Sequence, residues 1–261
     1  MKYIAPDQIE QVPGRQIRPG EHFAFRCHAQ LSCFNQCCRH LNLFLYPYDV
    51  LRLKNHLEMT SDQFIDQHVD VVLREGHYFP EVLLRMSEEG DHPCPFLTPQ
   101  GCRVYPARPH TCRLFPIEQG VLFDSAQKRT TPVYFFRPFD FCKGPGEPQT
   151  WTIEAYLKDQ DADTYYQMNL KWAQVRQLFQ ADPWGLEGPQ GPRAKMAFMA
   201  VYNIDRFREF VFGSSFLKRY HVKSTLVKKI RHSDEALLEF GFEWIRFFVW
   251  GKPSKQMKVR K

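Results

Sequence analysis

Residues 32–40 read SCFNQCCRH, and three later stretches repeat the same character: HPCPFL at 92–97, QGCRVY at 100–105 and RPHTCRLF at 108–115. With FRC at 25–27 and FDFCKGPG at 139–146 they carry all eight cysteines of the 261-residue chain: Cys27, Cys33, Cys37, Cys38, Cys94, Cys102, Cys112 and Cys142. The last 119 residues carry none. Random core thiols would scatter along the chain, whereas seven of these sit beside turn formers, charges or another cysteine. Inert burial fits Cys27 or Cys142 taken singly, but the neighbours Cys37 and Cys38 point in different directions and cannot both be core fillers.

A disulfide framework suits short secreted chains with little core. Here 43% of the residues are hydrophobic and 25% charged, the composition of an ordinary globular protein with a sizeable core. The N-terminus, MKYIAPDQIEQVPGRQ, places Pro6, Asp7 and Glu10 where a secretion signal needs an unbroken apolar stretch. No apolar run approaches the roughly 18 residues of a spanning helix, so no membrane span is expected. The chain therefore reads as cytoplasmic, where thiols stay reduced and serve as soft ligands for zinc or iron.

The spacings between successive cysteines are x5, x3, x0, x55, x7, x9 and x29. Zinc fingers and ribbons repeat a C-x2-C knuckle, in which one tight turn aims two sulfurs at one tetrahedral ion. No such knuckle occurs. Adjacent cysteines chelate a single ion poorly, so Cys37 and Cys38 read as serving different irons of a cluster, different metals, or a ligand and a supporting role. This tilts the reading to an iron-sulfur cluster, with zinc as the alternative. Cys33-x3-Cys37 opens like a radical-SAM motif, but His40 stands where the third cysteine belongs. His28, His40, His92 and His110 each lie within a few residues of a cysteine and are candidates to complete a mixed site, against the commoner role of a surface or hydrogen-bonded histidine. Arg39, Arg103, Arg108 and Arg113 are close to the thiols in sequence. They read as charge offsets and clamps on loop carbonyls, with Arg108 and Arg113 the candidates for holding an anionic substrate or the carboxylate of a cofactor.

The order F-x-C, C-x3-CC, CPFL, GCRVY, RPHTCRLFP resembles the YkgJ-type cysteine-cluster family, the CxxCxxCC proteins, over about residues 23–146. The first motif is stretched: the usual C-x2-C-x2-CC appears as Cys27-x5-Cys33-x3-Cys37-Cys38. The resemblance implies a zinc- or iron-chelating module with all eight cysteines as its ligand set. One branch of that family is similar to flagellin lysine N-methylase, which implies S-adenosylmethionine as a cofactor and a protein substrate only if the chain is methylase-like. GPGEP and GLEGPQGP are proline-broken loops rather than cofactor-cradling turns. Whether the chain is an enzyme stays open. A metal-bound structural module leads; a metal-dependent enzyme and a metal carrier are the rivals.

The expected fold class is α+β: a small cysteine-rich metal-binding module with short strands and helices over 1–146, then a mainly helical part over 147–261, parted at the Pro/Gly cluster 144–148. Pro47 suits a first helical turn, with a helix to about Glu58, and Thr60 with Gln63 predicts a capping box for the next helix. HYFPEVLLRM, VLF and VYFF read as strands, the last two joined by the turn DSAQKRTTP. Thr152 is expected to cap a short helix, 162–180 to be helical, DPWGLEGPQGP to be a loop, and Ser233 to cap a last helix with Leu237, Phe240, Trp244, Phe247 and Phe248 on its apolar face. The formal charge of +6 is concentrated at the end, where residues 201–261 hold 14 Lys+Arg against 6 Asp+Glu. These basic residues alternate with core-forming aromatics and match no nucleic-acid motif, so they read as a solvated face. A protein partner or substrate is left open.

Of the eight thiols, Cys37, Cys94 and Cys112 are expected to matter most, because they sit in the most family-like segments. Cys27 is expected to matter least, given the stretched spacing before Cys33.

Overall fold

The computed structural model describes residues 2–124 and 129–260. The fold is α+β, with the strands concentrated towards the N-terminal part of the chain and helices dominating from Ile153 onward. The described residues form two compact units that alternate along the chain. The first takes Met1–Leu41 and Met86–Gln167, the second Asn42–Arg85 and Met168–Lys261.

In the first unit the strands Ile117–Asp124 and Arg129–Phe136 pair antiparallel, and residues 125–128 of the turn expected between them lie outside the described residues. Lys2–Ile4 adds in parallel on one side and Arg15–Ile17 antiparallel on the other. Period-two alternation gives this sheet two apolar faces. Ile4, Val133 and Phe135 form one, packed by Ile9 and Val12. Ile17 and Ile117 belong to the other, which they share with Phe23, Phe25, Leu114, Ile153 and Tyr156. Gly120 is required between the strands, since Ile4 lies where its side chain would be. The Thr152 hydroxyl accepts from the Ala155 N–H at 3.2 Å and starts the helix Ile153–Asp159, as expected.

In the second unit Pro47 opens the helix Pro47–His56, and the capping box of Thr60 and Gln63 starts Ser61–His68. The chain then turns at once into the strand Val69–Val72, which pairs with Glu81–Leu84 in a three-stranded sheet completed by Phe44–Leu45. The expected strand within HYFPEVLLRM is thus four residues long.

From Met168 onward come the rest of the helix Asp163–Leu178, the helices Pro192–Tyr202, Ile204–Gly213 and Ser224–His232, and a last helix Asp234–Phe248 capped by Ser233. Of the apolar face expected on that last helix, Leu237, Phe240 and Trp244 are buried and Phe247 and Phe248 half-buried; Phe242 and Ile245 widen it. Gly241 lets this helix lie against Pro192–Tyr202, because a side chain there would collide with the Ala200 carbonyl. The loop DPWGLEGPQGP holds only one short 3-10 turn, Gly185–Glu187. Among the described residues no helix is long and apolar enough to cross a membrane.

Candidate metal centre

All eight cysteines lie in the first unit, and none is in a disulfide. Two distant segments are zipped together to make their largest grouping. Phe23–Ala24 pairs antiparallel with Thr150–Trp151, the Phe25 N–H donates to the Gln149 carbonyl at 2.8 Å, and the Trp151 indole N–H donates to the Phe25 carbonyl at 2.8 Å. The Arg26 N–H continues the line to the Gly144 carbonyl at 3.2 Å. Gly144 is essential to this approach, because any Cβ there would run into the Phe25 ring. Past the zipper the two loops stay together: His28 Nε2 lies 3.1 Å from a Glu147 carboxylate oxygen, and the Lys143 N–H donates to Cys33 Sγ at 3.2 Å.

Loop 27–38 then winds through a turn, with the Phe34 N–H on the Leu31 carbonyl, into a 3-10 turn at Gln36–Cys38 entered through Asn35 at φ +64°. Cys27, Cys33, Cys37 and Cys142 lie here within electrostatic reach of one another. Burial pushes the Cys27 thiol up to about 11, and the neighbouring Cys37, Cys142 and Cys33 add to the rise. Cys37 is raised first by its side-chain hydrogen bond with Cys38, then by burial and by the Cys38 charge. Cys142 is raised by burial and by Cys33 and Cys37, against an opposing N–H of Gly144. Neighbouring thiolates thus disfavour ionisation of Cys27 and Cys142. A bound cation reverses that balance and favours the ionised ligands, so the donor set suits a thiophilic metal.

A second pair is Cys94 and Cys102. The Leu97 N–H closes a turn on the Cys94 carbonyl, and Leu97–Thr98 pairs with Gly101–Cys102 in a hairpin whose corner needs Gly101 at φ +123°. Burial pushes the Cys94 thiol up to about 11, with Cys102 contributing and the N–H groups of Phe96 and Leu97 opposing. The Cys94 N–H donates to the Cys38 carbonyl at 2.8 Å, which ties this pair to the first loop. Cys112 is exposed on the five-residue helix His110–Leu114. Among the described residues no three His, Cys, Asp or Glu side chains converge on one ion position.

The two candidate cofactor arginines are buried clamps. Arg108 donates to the Tyr105 carbonyl and to Gln160 Oε1, both at 2.7 Å, with its guanidinium 3.9 Å from the centre of the Tyr105 ring. Arg113 donates to the Gln160 carbonyl at 2.6 Å and the Pro106 carbonyl at 2.7 Å, and stacks on Tyr165. Arg39 pairs with Asp91 at 2.6 Å, and Arg103 lies over the Phe96 ring. His110 is buried against Gln119 at 2.9 Å, and burial lowers its pKa to about 4.

Despite its stretched spacing, Cys27 lies within electrostatic reach of Cys37, Cys142 and Cys33. Sequence reasoning passed over Gly144 and the Lys143 N–H. The signal was available in CKGP: a glycine two residues beyond a candidate ligand marks a close backbone approach.

Comparison with curated proteins and with solved structures gives no match. Residues 26–133 match a family model described as "CxxCxxCC: Putative zinc- or iron-chelating domain", a span that includes seven of the cysteines and leaves Cys142 beyond its end. Over those residues the chain is similar to the CxxCxxCC domain, and the matched span takes in residues 42–85 of the second unit as well as thiol-bearing segments of the first.

Proposed function

We propose that the chain is an iron-sulfur protein whose cluster is held by Cys27, Cys33, Cys37 and Cys142 and whose main role is to order the loops that carry them. The observation that supports this is the approach of thiols from two distant segments: the Lys143 N–H donates to Cys33 Sγ at 3.2 Å, and Cys37, Cys142 and Cys33 all act on the Cys27 thiol. Four thiolates are the usual ligand number of such clusters, and irregular spacing is no obstacle when the ligands come from loops rather than knuckles. Bound iron and sulfide would supply soft, multiply charged ligation and, where the potential allows, one-electron chemistry.

The residues of this chain have separable tasks. The Lys143 N–H bonds to the Cys33 sulfur, and hydrogen bonds of this kind tune a ligand sulfur. Gly144 and the Phe23–Ala24 pairing hold the two loops in register. Arg108 and Arg113 fix the backbone between Tyr105 and Gln160, and in this reading they order loops rather than receive a cofactor carboxylate.

The deciding experiment is anaerobic purification of the full chain with iron, zinc and acid-labile sulfide analysis and an absorption spectrum. The expected result is brown protein with iron and sulfide in equal amounts and broad thiolate-to-iron absorption at about 400 nm. Colourless protein with stoichiometric zinc and no sulfide removes the iron-sulfur reading and assigns the same thiols to zinc.

A further inference from the structure

The end of the second unit holds two stretches without an acidic residue. Residues 210–233 carry six Lys+Arg and residues 247–261 five, and neither stretch has an Asp or Glu. The strands Tyr220–Val222 and Met257–Val259 pair antiparallel and bring the two stretches together. The pairing runs on past both ends of the strands: the Arg260 N–H donates to the Arg219 carbonyl at 2.8 Å and the Lys223 N–H to the Gln256 carbonyl at 3.3 Å. Arg219 therefore lies across from Arg260, and His221 across from Lys258.

Alternation sorts this ribbon into two faces. Val222 and Met257 are buried, and the Tyr220 ring packs on Phe216 and Trp244 with centroids 4.9 and 5.1 Å apart. Arg219, His221, Lys223, Lys258 and Arg260 fall on the other face, and all are exposed. The helix Ser224–His232 starts directly from Lys223 and adds Lys228, Lys229 and Arg231, exposed as well. Like charges directly opposite each other on a ribbon destabilise it. Elsewhere in this unit such charges are answered: Lys54, Arg85, Lys171, Arg176, Arg206 and Arg208 all have carboxylate partners. Among the described residues no Lys or Arg of the two acid-free stretches has one.

We propose that this basic face binds the phosphodiester backbone of a nucleic-acid duplex without reading its sequence. Phosphate contacts need only Lys and Arg at a solvated surface and require no recognition motif. Tyr220, the aromatic residue of the ribbon, is turned into the core and offers no platform for stacking on unpaired bases. A membrane-lying helix needs a broad apolar face and a protein interface an apolar centre, whereas Val259 is the one large apolar side chain exposed among the described residues of the two stretches. A phosphate set between Arg219 and Arg260 relieves the cross-strand repulsion that the free chain carries. The proposal is independent of the metal reading, because every residue in it belongs to the cysteine-free unit.

The test titrates the anaerobically purified full chain into a fluorescent duplex of about 20 base pairs, once as DNA and once as RNA, and follows anisotropy over a range of salt concentrations. Both duplexes should bind whatever their sequence, with log K falling against log salt at a slope of about −4, the value for four or five phosphate contacts. R219Q/K258Q/R260Q should weaken binding at least about tenfold at low salt and flatten the slope by about 2–3. R18Q/R137Q/K158Q removes the same charge from exposed positions of the first unit and should leave the affinity within about threefold of wild type. All six positions are exposed, and unchanged circular dichroism and iron content confirm that both variants fold. Failure of either duplex to bind at the lowest salt overturns the proposal, and so does equal weakening in the two triple variants, which would make the effect one of net charge. Tighter binding of phosphatidylserine vesicles or of polyglutamate than of either duplex also overturns it, and assigns the face to a membrane surface or to an acidic protein.

Discussion

Cys33 is the buried member of the thiol group, and it receives a backbone N–H from the opposite loop. A serine there keeps an acceptor for Lys143 but loses the soft, ionisable sulfur, so metal binding should suffer far more than folding. We expect C33S, C37S and C142S each to reduce bound iron to less than half of the wild-type level, measured per chain after anaerobic purification. C112S, on an exposed position, should keep full occupancy; severe iron loss in C112S with normal iron in C142S would reverse the ligand assignment. Arg113 illustrates a different kind of dependence. It is buried and bonded to two carbonyls, so R113A leaves those acceptors short of partners and should cost about 2–4 kcal/mol of stability, chiefly through unsatisfied polar groups. Denaturant unfolding of R113A checks it, and a loss under about 0.5 kcal/mol, the range of ordinary surface changes, would mean the clamp is not what orders the loop.

Elements show why some of this was legible from sequence and some was not. Thr60 with Gln63, Thr152 and Ser233 announce helix starts because a cap is a local hydrogen bond between residues two or three apart. The strand Lys2–Ile4 has no such local mark: it exists through parallel pairing with Ile117–Asp124, more than a hundred residues away. The same holds for the site. The cysteines read as candidate ligands from their neighbours, whereas the partnership of Cys142 with Cys33 depends on Phe23–Ala24 meeting Thr150–Trp151 and on Gly144 having no side chain. G144A should therefore separate the loops. We expect it to lower iron content severalfold, while helices of the second unit keep their circular-dichroism signal; normal iron in G144A would show that the zipper does not assemble the site.

In the second unit, Asp205 links the helices Ser61–His68 and Ile204–Gly213. It accepts from the Ser61 N–H at 2.7 Å and from Lys54 Nζ at 3.1 Å. Burial pushes its carboxyl up, but the Ser61 and Lys54 bonds outweigh it and hold the pKa below the usual 3.8. A depressed carboxylate contributes stability that is present above 3.8 and lost as pH falls through the folded value. D205N should remove that acid-side dependence and destabilise the protein at neutral pH by about 1–3 kcal/mol, because Lys54 is left buried without its closest charge partner. Unfolding curves of both proteins from neutral pH to below 3.8 test this, and parallel acid-side slopes would count against it.

At the scale of the whole molecule the question is which residues depend on the metal for their order. A contiguous division into 1–146 and 147–261, the one suggested by the Pro/Gly cluster, and the alternation of the two compact units along the chain lead to opposite expectations for two segments. Residues 42–85 precede the cluster but belong to the cysteine-free unit, with Leu45, Leu53, Phe64 and Val82 buried in it. Residues 150–160 follow the cluster but belong to the thiol-bearing unit, through Thr150–Trp151 and through Ile153 and Tyr156 in its core. Loops with little regular structure hold their order through ligation, so losing the ion lowers the free energy of opening there first, while a separately packed core keeps its protection. Hydrogen exchange of the full chain with and without a chelator reads this directly. We expect removal of the metal to speed exchange across 23–41, 92–115 and 139–160 and to leave Pro47–His56 and Glu81–Leu84 protected. If Pro47–His56 loses protection together with 23–41 while 150–160 keeps its own, the boundary belongs at the Pro/Gly cluster, and the helices after it hold together without help from the thiols.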